Sequence, residues 1–399
     1  MRKILSLILI AMLLLGLLCG CRTAEPTATS DGAQASVEGV SPIRSGELRQ
    51  SLFQAGRSFE STEDGFYSLV DFEDGSTILL YCDNDSDTLV RVCSRPDCPH
   101  NNEDCDAYLN GHHNITYYDG HLYTTCHPLT GGLAVTRFDL DGRNRVEVVN
   151  SSDSISGYGG TYEEDIANGV AFLGFTKMGP SGAVGGTLYY YKLDGSMKQP
   201  EEAIQRGGPR CSEGDMILFR ASDFEGDQAR LVTWTPGSEE QYLVDFDSDY
   251  FRAHYCDDHC YKLIDNKFYR IDYGTLKQTL LFDTGLEGDH ILRCYPDCIV
   301  IMDGSSTYDP ETASRPQTLR FYDWSFNSLG EITVDYKKTV DWTEIICGET
   351  ENRILLCSDM SYLPRYYIDK AEFGTGNITL HEFKLPADLP PAIGESTSE

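Results

Sequence analysis

Positive charge is scarce in this 399-residue chain, where 32 Lys and Arg stand against 63 Asp and Glu for a formal charge of −31. A general nucleic-acid binder needs a basic surface to displace counterions from phosphates, so that class is excluded. The same balance argues against docking on anionic lipid through a polybasic patch. The sequence also lacks a GxSxG elbow, a P-loop and an HExxH helix. No convincing amphipathic helix follows residue 60, and the missing strand–helix alternation argues against a two-lobed solute-binding protein. Apolar residues still make up 40 % of the chain, enough for a large core, so the acidity is not the composition of disorder.

The one long apolar run is at the N-terminus. Arg2 and Lys3 precede an apolar stretch from Ile4 to Leu18 that ends in small residues, the order of a secretory signal. Leu18-Cys19-Gly20-Cys21 resembles the lipobox of bacterial lipoproteins, with Cys19 standing where Ala, Ser or Thr is usual. The resemblance implies that 1–20 is a lipoprotein signal peptide and that Cys21 is acylated, with palmitate-type chains anchoring the protein to the extracytoplasmic face of the cell membrane. Removing 1–20 takes two positive charges and leaves the mature chain at −33. Residues 21–58 are rich in Ala, Thr, Ser, Gly, Glu and Gln, with Phe53 their only aromatic. They read as a flexible tether, because such a stretch buries too little apolar surface to order itself. The Pro-rich, acidic 386–399 reads as a disordered tail, which leaves 59–385 as the folded domain.

Within 59–385 a two-residue turn followed by an apolar strand recurs seven times: Asp64-Gly65, Asp119-Gly120, Asn168-Gly169, Glu213-Gly214, Asp258-His259, Pro296-Asp297 and Glu351-Asn352. The mean interval is about 48 residues, the period of a propeller blade. The second position runs Gly, Gly, Gly, Gly, His, Asp, Asn, types that tolerate left-handed backbone, and this predicts positive φ throughout the column. Further turns downstream, such as Asp265-Asn266 and Tyr273-Gly274, divide the shortest unit into four strands. The expected fold is an all-β propeller of seven four-stranded blades, with six or eight as the neighbouring counts.

Of fourteen Cys, twelve remain once Cys19 and Cys21 are set aside, an even number suited to disulfides outside the cytoplasm. Cys256 and Cys260 flank one turn and Cys294 and Cys298 the next, which makes these four disulfide candidates, each pair across its own hairpin. The sharper alternative there is a metal or redox pair using His254 and His259. Cys93, Cys98, His100 and Cys105 form a second cluster in the connector after the first blade. Three sulfurs and one imidazole could hold a structural zinc; disulfides, with Cys82 and Cys126 nearby, are the rival. His112-His113 and Asp83-x-Asp85-x-Asp87 read as a solvated loop and a polar hairpin before any metal role.

With its repeat, lipobox and Cys/His cluster, the chain resembles the β-propeller lipoproteins of uncharacterised function from Gram-positive gut bacteria. More loosely it resembles YWTD-like surface propellers; WD40 and kelch signatures are absent. The resemblance carries no activity with it. The expected function is a non-enzymatic binding or scaffolding module for a protein or glycan ligand. Its working face would lie where the Cys93–Asn114 connector meets the loops Met178–Gly186 and Asp303–Pro316. The alternative is an extracytoplasmic carbohydrate-active hydrolase or lyase using carboxylates around the central channel.

Overall fold

The computed structural model describes residues 49–50 and 58–389, except 73–74, 110, 127–133, 151–161, 168, 180–181, 203–206, 214–215, 223–228, 239–240, 247–252, 257, 305–315, 335–344 and 358–362. The expected signal peptide, Cys21 and most of the expected tether lie outside them. Among the described residues are seven antiparallel sheets, each built on a meander of four sequential strands, with a fifth short strand added to one of them. They are blade 1 (59–91), blade 2 (112–150), blade 3 (162–202), blade 4 (207–246), blade 5 (254–283), blade 6 (290–334) and blade 7 (346–382). The expected β-propeller is the fold that forms. All seven recurring turns join the first strand of a blade to its second.

The apolar runs after those turns have a physical cause. The second strand of a blade lies mid-sheet with a neighbouring blade on each face, so both of its faces must be apolar. In blade 1, Phe66 and Val70 enter the layer shared with Leu355 and Phe383 of the blade 7 side, while Tyr67 and Leu69 enter the layer shared with Ile115 and Leu122 of blade 2. In blade 6, Ile299 and Ile301 face blade 5, and Val300 and Met302 face blade 7. The alternation follows from the two-residue period of a strand. The core is accordingly a set of layers between blades, with no single centre.

The reason given above for the turn column needs correcting. Among its described members only Gly120 (φ 78°) and Gly169 (φ 75°) are left-handed; Gly65, His259, Asp297 and Asn352 are not. Gly65 is required for a different reason: a Cβ there would lie 2.1 Å from the Cys82 carbonyl oxygen across the sheet. At the other positions the turn is closed by backbone hydrogen bonds such as Cys256 N–H to His259 O, Tyr295 N–H to Cys298 O and Thr350 N–H to Arg353 O. These hairpins need no positive φ.

First strands of neighbouring blades touch around the axis, as those of blades 1, 2, 3 and 4 do in turn. Arg49–Gln50, expected to be loose tether, pairs with Ser212 and Cys211 on the first strand of blade 4 and also touches the first strand of blade 5. It occupies the inner edge between them.

Among the described residues no exchanged strand closes the seam between blades 7 and 1, since each consists of four consecutive strands. Closure comes from the segment after His381–Glu382. Lys384 bridges Thr88 in parallel, Leu89 N–H donates to Lys384 O at 2.9 Å, and Lys384 N–H donates to Asp87 O at 2.7 Å. Phe383 packs at the seam beside Tyr367 and Phe66. The start of the expected tail is docked: beyond Leu385, Leu389 packs on this layer and Asp388 pairs with Arg91 at 2.7 Å. One apolar residue and one ion pair dock the start of a segment whose composition alone reads as disordered.

Candidate functional site

The seam carries a cleft of about 640 Å³ on the face where the first-to-second and third-to-fourth turns lie. Glu63 and Asp64 come from one turn of blade 1 and Asp83 and Asp85 from another; Glu351 and Asp369 come from the corresponding turns of blade 7. Asn352 Nδ2 donates to Asn84 O at 3.0 Å and Arg353 donates to Ser86 O at 2.7 Å, so blade 7 holds the Asp83–Asp87 turn in place. The Arg353 guanidinium lies 4.4 Å over the Tyr367 ring and is itself largely buried.

Lys370 is the cation of this wall, and it is already engaged. Its Nζ lies 2.6 Å from Glu349 Oε2 and 3.0 Å from Asp297 Oδ2, and its backbone N–H donates to Asn352 O at 2.9 Å. Asp369 sets the local geometry by accepting from Ala371 N–H at 2.8 Å, capping the short 3-10 turn Lys370–Glu372. Burial works against the ammonium, but the two carboxylates outweigh it and Lys370 is raised above its ordinary pKa. Glu349 bears the desolvation: burial pushes its carboxyl up to about 7 in spite of Lys370. Asp297 belongs to blade 6 and Glu349 to the first strand of blade 7, so the triad links two blades. Sequence reading missed it, because an ion pair between residues 73 apart has no local pattern.

This cleft is not on the face favoured above. The stretch Met178–Gly186 is not a long loop: strands Val170–Gly179 and Gly182–Lys192 of blade 3 pair as far as Gly179 opposite Gly182. Asp303–Pro316 lies almost entirely outside the described residues.

Cys93, Cys98, His100 and Cys105 do come together, with their ligand atoms all within 4.8 Å of one another. His100 Nδ1 is 3.2 Å from Cys105 Sγ, and the Ala107 N–H donates to that sulfur at 3.3 Å. Burial opposes the Cys98 thiolate, but the His100 N–H and the Arg95 side chain outweigh it and lower its pKa. Burial pushes the Cys105 thiol up to about 12. Among the described residues this is the group able to hold a metal.

The other cysteines follow strand parity rather than sequence proximity. Tyr255 pairs with Cys260 and Cys294 with Ile299, so the two cysteines of each hairpin point to opposite faces of their sheet. Cys256 and Cys294 both enter the layer between blades 5 and 6, and Cys298 the layer toward blade 7. Bridges Cys256–Cys260 and Cys294–Cys298 are therefore not what the register allows. Burial first, then the neighbouring Cys256, raise the Cys294 thiol. His254 and His259 join no metal group among the described residues; burial, then Arg293 and His259, push His254 down to about 3. The side chains of His112 and His113 lie outside the described residues. Asp87 turns to Lys384 at 2.7 Å, which leaves Asp83-x-Asp85-x-Asp87 as a polar hairpin.

The fold and its closed seam define a β-propeller domain. No family model matches the chain, and no curated protein does. Among solved structures, a puromycin hydrolase is 16 % identical over 88 % of this chain and 58 % of its own, with a TM-score of 0.50. PorZ, a surface component of the type-IX secretion system of Porphyromonas gingivalis, is 11 % identical over 86 % of this chain and 40 % of its own, with a TM-score of 0.45. The β-propeller domain of the Trilobed protease from Pyrococcus furiosus is 10 % identical over 73 % of this chain and 99 % of its own, with a TM-score of 0.37. The first of these likenesses supports the fold alone. The chain spans 58 % of the length of that hydrolase.

Proposed function

We propose that this chain is an extracytoplasmic lipoprotein, anchored to the membrane through acylated Cys21, whose propeller is a non-enzymatic binding module. The observation that carries the reading is the seam cleft, a concavity walled by six carboxylates in which the lining cation, Lys370, is neutralised by Glu349 and Asp297. Such a wall favours a ligand with positive charge. A basic segment of a protein fits it best, with an amino-sugar glycan as the second class.

The test presents the mature chain to basic-peptide and glycan arrays at low and high salt. Binding is expected to weaken with salt. Reversing two exposed charges, Asp85→Lys with Glu351→Lys, is expected to weaken it by about tenfold, near 1.4 kcal/mol, with an unchanged melting temperature. An affinity indifferent to both changes overturns the cleft as the site, and turnover of a glycan by the purified chain favours the hydrolase or lyase reading. For the anchor, Cys21→Ala is expected to move the protein from the membrane to the soluble fraction. Retention in the membrane would sink that half of the proposal.

A further inference from the structure

We propose that Cys93, Cys98, His100 and Cys105 bind one zinc ion, and that this ion pins the connector 92–111 to the outer edge of blade 1. The inference is independent of the ligand assigned to the seam.

The first argument is geometric. A tetrahedral zinc with Zn–S bonds of about 2.3 Å sets its ligand atoms about 3.8 Å apart. Three sulfurs and one nitrogen already lie within 4.8 Å of one another, so small rotamer shifts close the site. Counting ligands separates zinc from its rival. A disulfide between any two of the three sulfurs strands the third beside an imidazole, whereas a tetrahedral metal uses all four atoms. Cys82 does not complete a second bridge: its Sγ is directed to Ser86 O at 3.3 Å and Asp83 O at 3.6 Å.

The second argument concerns the surroundings of the sulfurs. The His100 N–H donates to Cys98 and the Ala107 N–H to Cys105 Sγ. Such N–H to sulfur bonds stabilise thiolate ligands and fix their orientation. A Cys₃His zinc carries a net charge of −1, and the Arg95 guanidinium sits against Cys98 and Cys93 to balance it. His100 has φ 53°, a left-handed backbone that a non-glycine residue adopts at a cost. A metal ligand at that position offsets the cost.

The third argument is what the connector does. The fourth strand of blade 1, Val90–Arg91, is only two residues long and covers Leu80 and Tyr81 of its neighbour. Beyond it the connector takes over the open edge, with Leu79 N–H donating to Ala107 O and Leu109 N–H to Thr77 O, both at 2.8 Å. Arg145 of blade 2 then grips the same turn by donating to the carbonyls of Cys105, Asp106 and Tyr108. A loop of some twenty residues without a strand of its own needs such a pin to present that edge.

The decisive measurement uses the unaltered mature chain, purified without chelators and assayed for metal. One zinc per chain is expected, and exchange for cobalt should give the visible absorption of a tetrahedral sulfur-rich site. Cys105→Ser and His100→Ala are expected to lose the metal, while His100→Cys and Cys82→Ser retain it. Removing zinc with a chelator should speed hydrogen exchange at the Leu79 and Leu109 amides and leave blade 6 unchanged. A metal-free wild-type chain overturns the proposal, whether peptide mapping then finds a disulfide among the three cysteines or finds all three open to alkylation.

Discussion

Lys370→Ala is expected to lower the stability of the propeller by about 3–5 kcal/mol, because it leaves a buried carboxylate uncompensated between two blades. The Lys370 side chain is 9 % exposed and that of Glu349 24 %, so water replaces the lost ammonium only in part. The deficit should depend on pH, and its sign follows from Glu349. Burial already lifts that carboxyl to about 7, above the ordinary 4.5, and without Lys370 it rises further. A group whose folded pKa is raised contributes stability below its unfolded value and loses it as pH climbs through the folded one. The variant should therefore be least impaired near pH 5 and most impaired near pH 8. Adding Glu349→Gln should recover part of the loss and flatten the pH dependence. Chemical denaturation of the three proteins across that range reads both effects, and a deficit independent of pH would show that the triad does not carry the charge assigned to it.

Phe383→Ala is the second large effect, expected at about 3–5 kcal/mol for a buried aromatic truncated to a methyl group. Phe383 is 4 % exposed, meets Phe66 edge-on at 5.5 Å and lies 4.6 Å from the Tyr367 ring. Its place matters as much as its area. The segment around it is the last described piece of chain laid against blade 1, and the Leu89 and Lys384 amides report directly on whether it stays there. Hydrogen exchange at those two amides should accelerate much more than exchange in the middle strands of blades 5 and 6. Uniform acceleration around the ring would mean that Phe383 is ordinary core and that the seam has no separate closure.

Much of the fold was legible because the second strands report their own burial. A run such as Cys298-Ile299-Val300-Ile301-Met302 is apolar on both parities, which only a strand covered on both faces requires. The turns before these runs were found for a reason that holds at Gly120 and Gly169 and fails at Gly65, where the constraint is a carbonyl on the next strand. Sequence can mark a turn, but it cannot tell positive φ from lack of room. The Cys93–Cys105 cluster was legible because its ligands sit on one short connector. The pairing of Cys256 with Cys260 and of Cys294 with Cys298 was misread because sequence spacing ignores which face of the sheet each thiol takes. The triad was not legible, since Asp297 and Lys370 lie 73 residues apart on adjacent blades, and the docking of Leu389 was not, since it joins segments that only ring closure brings together.

A core made of layers between blades has a kinetic consequence. In an open solenoid each repeat can add to the last, and polar caps finish the ends. Here blade 1 covers one face with Leu355 and Phe383, residues roughly three hundred positions downstream of Phe66. Until they arrive, Phe66 and Val70 on one side and the apolar face of blade 7 on the other remain open to water. Loop-closure entropy opposes contacts of that sequence separation until most of the chain is in place. The disc therefore acquires its last buried face in one late step, and a chain stalled before that step shows two sticky edges, one at each end of the array.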